Sequence, residues 1–150
     1  MEKSHSHYTK LGVNLLISGL IMYLVMFTMI DGLHNFYHNI NMFYMTLMMV
    51  APMAILMLLM MGSMYESRKL NLALYGLFGG LFLLGYFLMR TQGAVGDVQF
   101  VRSMIPHHSG AILMCREASL KDPELIRLCE EIIKAQQQEI AQMKQILARY

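Results

Sequence analysis

The chain has 150 residues, 56% of them hydrophobic, with a formal net charge of +2 and two cysteines. That hydrophobic share is too high for a soluble domain of this size. The near-neutral balance excludes the basic footprint of a nucleic-acid binder, and from Thr91 onward seven basic residues are matched by seven acidic ones.

Three apolar runs dominate the first part of the chain: Leu11 to Ile30, Met42 to Met61 and Leu72 to Met89. Each is about 18 to 20 residues long, the length at which an α-helix crosses the hydrocarbon layer. They predict a membrane domain over residues 1–90 with spans at about 11–30, 42–62 and 71–89. The first run is too long for the apolar region of a signal peptide and no small-residue cleavage pattern follows it, so it is expected to be retained. Lys3 and Lys10 precede the first span, Arg68 and Lys69 lie between the second and third, and the loop at 31–41 has no Lys or Arg. This asymmetry predicts a cytoplasmic amino terminus and an external carboxy-terminal segment. In a bacterium, itself an inference, that means the inner membrane and the periplasm. His5 and His7 resemble a small metal motif, although a terminus more often holds solvated histidines.

Thirteen of the seventeen methionines fall between Met22 and Met89. In the second span Met42, Met45, Met49, Met53, Met57, Met60 and Met64 recur at steps of three or four and form one thioether stripe. Met45, Met49, Met53 and Met57 are the candidate lining of a copper(I) conduit, with Asp31, His34 and His38 in the preceding loop placed to collect the ion. The plainer reading is packing or lipid contact by an apolar, adaptable side chain. In the third span Gly76, Gly79 and Gly80 suggest a close helix-helix contact.

Residues 91–96, "TQGAVG", read as a linker, with Asp97 as a helix N-cap. Asp122 followed by Pro123 is a stronger helix start. Two helices are predicted, about Asp97 to Leu120 and Pro123 to Arg149, forming an antiparallel hairpin over 97–150. On the first, Phe100, Met104, His107, His108, Ala111, Met114, Cys115 and Ala118 cluster. On the second, Leu125, Cys129, Ile132, Gln136, Ile140, Met143 and Leu147 share a face. Closing the hairpin near residue 121 sets Cys115 opposite Cys129, the histidines near Gln136, and Met104 near Ile140 and Met143. Pro106 removes one backbone hydrogen bond and predicts a bend just before the histidines.

The stretch "MIPHHSGAILMC", Met104 to Cys115, carries the soft-metal signal. Copper(I) and silver(I) prefer thioether, thiolate and imidazole, whereas zinc favours a closed set with carboxylates. Met104, His107 and His108 lie within one turn, but Met114 is about 10.5 Å further along the helix than His107. One ion cannot easily reach both ends, so the candidate site is Met104, His107 and/or His108, and Met143, with Met114 in a second site or a relay. The competing reading is a hydrogen-bonded histidine pair beside core methionines. Cys115 and Cys129 are open to a disulfide, a thiolate metal site or two buried thiols.

Asp97, Phe100, "MIPHHSGAILM" and the later "PEL" and "II.AQQQEI..M" (Ile132 to Met143) together resemble a bacterial family catalogued as a domain of unknown function, which includes the periplasmic copper-binding protein CopM. The resemblance covers roughly the last third of the chain. It implies a ferritin-like all-α fold and copper or silver binding, with Met104, His107, His108, Met114 and Met143 as ligands and Gln136 and Glu139 in support. This chain has a single copy of the motif behind its spans, so a second chain would be needed to complete a four-helix bundle. The expected fold is therefore all-α, three transmembrane helices followed by the hairpin. The expected partners are membrane lipid, a second copy and other copper-handling proteins, with no nucleic acid. The expected role is binding of copper(I) or silver(I) for sequestration, resistance or transfer, and no enzyme chemistry is expected because no nucleophile with a nearby base stands out. Its rivals are copper transport through the methionine stripe and a structural membrane subunit without metal.

Overall fold

In the computed structural model residues 2–150 are described, with side chains from Ser6 onward. His5 of the amino-terminal histidine pair therefore has its side chain outside the described residues. The described chain is all-α: α1 (Glu2–Val25), 3₁₀ turns at Met26–Met29 and Leu33–Asn35, α2 (Ile40–Met60), α3 (Arg68–Thr91), α4 (Asp97–Glu117) and α5 (Pro123–Leu147). The chain divides into two compact units, one made of residues up to Val25 with Asn41–Ala94, the other of Met26–Ile40 with Val95–Tyr150.

Three helical stretches, Ser6–Met29, Ile40–Met60 and Arg68–Thr91, are long and apolar enough to cross a membrane, and most of their residues belong to the first unit. They differ from the expected spans at their ends. The first helix begins in the polar segment, where nothing breaks it, and tightens into a 3₁₀ turn at Met26 instead of running on to Ile30. Leu11 and Leu15 of α1 pack with Ala54 and Leu58 of α2 and with Tyr65, and Leu74, Tyr75 and Phe78 of α3 close the cluster. Tyr8 ties the helices together at one end: its hydroxyl donates to Asn71 Oδ1 (2.7 Å) and accepts from the Ser67 backbone N–H (3.2 Å).

At Gly76, Gly79 and Gly80 no other helix of the same chain makes the expected close approach, since a Cβ there would meet nothing within 4 Å. It occurs one to two turns later at buried Gly85, where a Cβ would lie 3.1 Å from Met48 Cγ and 3.4 Å from the Tyr44 carbonyl oxygen. A small-xxx-small spacing marks where helices can touch, but facing direction decides where they do.

In the second unit α4 and α5 form the expected hairpin. Asp122 caps α5, its carboxylate accepting from the backbone N–H of Glu124 (2.8 Å) and Leu125 (3.3 Å), with Pro123 starting the helix. At α4 the N-cap is Gly96 in extended conformation, and Asp97 is instead the first helical residue, where its charge still complements the helix dipole. The helices stop at Glu117 and Leu147, two or three residues short of expectation, and Pro106 is accommodated inside a continuous α4.

Val101, Ile105, Ile112 and Ile140 are buried in this unit, with Ile133, Met143, Ile146, Leu147 and Tyr37 against them. The apolar face of α5 is thus covered in its carboxy-terminal half, while Leu125 remains 47% exposed, as does half of Phe100 on α4. Two helices alone leave a thin core, and the segment 26–40 supplies a further wall: Met29 lies so close to α4 that a Cβ on Gly110 would sit 3.3 Å from the Met29 carbonyl oxygen.

Cys115 and Cys129 are bridged, with Cα atoms 5.3 Å apart and a sequence separation of 14. Closing a loop of that size contributes about 3 kcal/mol in the chain-entropy account. A maleimide mass tag is expected to add nothing to the unfolded, unreduced chain and two adducts after reduction. Adducts before reduction would contradict both the bridge and the hairpin register.

Candidate metal site and its buttress

α4 carries the histidine pair with its two members in different surroundings. His108 is 8% exposed. Its Nδ1 lies 2.9 Å from the Met104 carbonyl oxygen, one turn earlier, and its Nε2 lies 2.8 Å from Glu139 Oε2 on α5. The carbonyl can only accept, so Nδ1 carries a proton and the ring orientation is set by the helix itself. Nε2 is then the nitrogen aimed across the seam at a half-exposed carboxylate. His107 is exposed, its ring centroid 6.1 Å from that of His108, as the turn of about 100° between neighbours on a helix requires.

Met104 is partly buried, Met143 packs on the core of the hairpin, and Met114 is 60% exposed near the bridged end. The structure thus brings the Met104 backbone carbonyl, the His108 ring and the Glu139 carboxylate together, and Met114 lies exposed further along α4. Cys115 and Cys129 hold each other, so in this form neither offers a thiolate. Among the described residues no group of three or more His, Cys, Asp and Glu is arranged to hold a metal ion.

The loop residues take a different role from the one their spacing suggests. Asp31 accepts at Oδ1 from the Ser109 hydroxyl and from Asn35 Nδ2 (2.7 Å), while Ser109 Oγ in turn accepts from the Asp31 backbone N–H (2.8 Å). Arg116 Nη1 lies 3.4 Å from Asp31 Oδ2, and Lys144 Nζ donates to the His34 carbonyl (3.1 Å). His38 is held instead against the rings of Phe36 and Phe27, at centroid distances of 4.9 and 6.2 Å. Asp31 and His34 thus share the Asn35 amide, which lies 2.7 Å from Asp31 Oδ1 and 3.2 Å from His34 Nε2, while His38 packs on aromatic rings. Ser109 and Asn35, both almost fully buried, were not singled out by sequence spacing. The only local signal was the step of four from Asp31 to Asn35.

The methionine stripe of α2 also divides. Met53 and Met57 pack against the first unit's core, and Met57 Sδ accepts from Asn14 Nδ2 at 3.5 Å. Met45 and Met49 are 43% and 41% exposed. The four do not share one environment.

Burial pushes the Asp31 carboxyl up, but the hydrogen bonds from Ser109 and Asn35 and the charges of His34 and Arg116 outweigh it and hold the group below its ordinary value of 3.8. The folded chain therefore binds this proton more weakly than the unfolded chain. The stabilisation is complete above the ordinary value and is lost as pH falls through the lowered one. Asp31→Asn is expected to cost about 1–3 kcal/mol at neutral pH. It should also flatten the loss of stability below about pH 4, read from thermal melts of the helical signal. A variant profile parallel to the parent's in that range would remove Asp31 from the acid response.

Comparison with known proteins bears on the same part of the chain. The domain of unknown function DUF305 matches residues 87–147, which span α4 and α5. The uncharacterized protein L153 of Acanthamoeba polyphaga mimivirus is 35% identical over 111 residues, covering 73% of this chain and 71% of that protein. No solved structure matches significantly. With a relative of that identity aligned over most of both chains, and the domain match lying over the histidine-bearing hairpin, the chain belongs to the DUF305 family.

Proposed function

We propose that this is a membrane-anchored protein whose hairpin domain binds copper(I) or silver(I) at the α4–α5 seam, sequestering the ion or handing it on. The observation that carries the reading is the orientation of His108. Its Nδ1–H is occupied by the Met104 carbonyl, so Nε2 is the nitrogen left to meet an ion. A second hydrogen bond that fixes tautomer and ring angle is what ligating histidines generally have.

In this account the ion takes the place of the Nε2 proton and displaces Glu139, whose exposed carboxylate turns to solvent. Met104 and Met143 supply thioethers, His107 offers a second imidazole at the surface, and Met114 an exposed thioether for entry or transfer. The bridged cysteines support placement on an oxidising side of the membrane, and the Lys and Arg asymmetry supports an external position for this domain. In a bacterium that side is the periplasm. The exposed Leu125, Ile126 and Leu128 of α5 support a second copy completing a four-helix bundle. The conduit reading is less well supported, because Met53 and Met57 are engaged in packing.

Anaerobic titration of the detergent-purified full chain with copper(I) against a competing chelator tests the proposal. The parent is expected to bind tightly, and the double variant His107→Ala, His108→Ala to bind more weakly by at least about a hundredfold, since each lost ligand bond is worth more than a charge-assisted hydrogen bond. Equal affinity in both, or none in either, would make the histidines structural.

A further inference from the structure

Between the 26–40 segment and the hairpin lies an open pocket of about 420 Å³, lined by Asp31, His34, Asn35, Arg116, Gln137 and Lys144 among others. It is separate in chemistry from the His108 seam. Two of its lining groups are cations with donors to spare. Lys144 uses one of its three ammonium protons on the His34 carbonyl, and Arg116 uses one of five N–H groups on Asp31, at the long distance of 3.4 Å. The one carboxylate present is already engaged by Ser109, Asn35 and Arg116. With His34 neutral the lining has two positive charges and one negative, a net of +1. Asn35 adds a complementary feature: it is 2% exposed and its Oδ1 has no hydrogen-bond partner, an unmet acceptor that costs stability until a donor arrives.

Position narrows the ligand. The first candidate span ends at Met29, so Asp31 is two residues beyond it. Two residues reach at most about 7 Å, which is the depth of the headgroup layer, about 5–8 Å on each side of the hydrocarbon. From this we infer that the pocket binds the phosphate of a lipid headgroup, with Arg116 and Lys144 receiving the phosphate oxygens and Asn35 Oδ1 accepting from a headgroup hydroxyl. The inference shares with the metal proposal only the membrane placement of the first helix. Bidentate donation from Arg and point-charge donation from Lys are the usual protein answers to phosphate.

The test uses the full chain in a sugar-based nonionic detergent and isothermal calorimetry with dihexanoyl phosphatidylglycerol below its micelle concentration. Inorganic phosphate and dihexanoyl phosphatidylcholine are the comparison probes. Saturable binding of phosphatidylglycerol is expected, weakened roughly tenfold or more in Arg116→Gln and in Lys144→Gln, and unchanged in His108→Ala. The two charge variants lie on different helices, and Lys144→Gln keeps a donor for the His34 carbonyl, so loss in both with parental helical circular dichroism reads as loss of the pocket. Inorganic phosphate binding as tightly as the lipid would overturn the headgroup and make this a site for free phosphate. No saturable binding, parental binding in both charge variants, or loss in His108→Ala would overturn the pocket itself.

Discussion

A carboxylate buried against a helix needs donors, and the Asp31 carboxylate finds them in Ser109 and Asn35. On this the second unit depends. A hairpin of two helices cannot bury much apolar surface by itself, and α4 and α5 leave the amino-terminal half of α5 exposed. The segment 26–40 covers part of the remainder, bringing Phe27, Asn35 and Tyr37 into or against the buried set. What fixes its register on α4 is polar. Asp31 both donates to Ser109 through its backbone and accepts from it through its side chain, so the loop cannot slide along the helix without breaking both bonds. Lys144 closes the other side by donating to the His34 carbonyl.

That constraint reaches the histidines through one peptide bond. Ser109 follows His108, and the two side chains leave α4 in directions about 100° apart. With Ser109 committed to the 26–40 segment, His108 is directed toward α5 and Glu139. The Met104 carbonyl then settles which ring nitrogen faces the seam. Buttress, helix and proposed ligand form one sequence of causes, and the disulfide at the far end holds α5 in the register that brings Glu139 opposite.

How much of this was legible in the sequence depends on the range of each interaction. Asp122–Pro123 declares a helix start locally, and the structure has the cap that it predicts. The hairpin turn then sets Cys115 opposite Cys129 by counting, although that they are bridged is seen only in the structure. The apolar runs give three long helices because length and composition are local properties. Gly96 in place of Asp97 as N-cap is a shift of one residue that no periodicity resolves. The Asp31–Ser109 bond joins residues 78 apart, and nothing near either one signals the other. Spacing alone grouped Asp31 with His34 and His38; the first two share one pocket with Asn35, whereas His38 packs on Phe27 and Phe36. Gly85 was likewise passed over for the glycines at 76, 79 and 80, because a close approach depends on the facing helix, here Tyr44 and Met48.

The proposed copper or silver site requires α4 to present the Nε2 of His108, and not its Nδ1, to the ion. Nitrogen NMR of the full chain with ¹⁵N-labelled histidine, recorded with and without one equivalent of silver(I), addresses that atom directly. The account predicts a large shift at Nε2 of His108 with Nδ1 still protonated and bonded to the Met104 carbonyl. A silver-induced shift at Nδ1, or none at either nitrogen of His108, would contradict it.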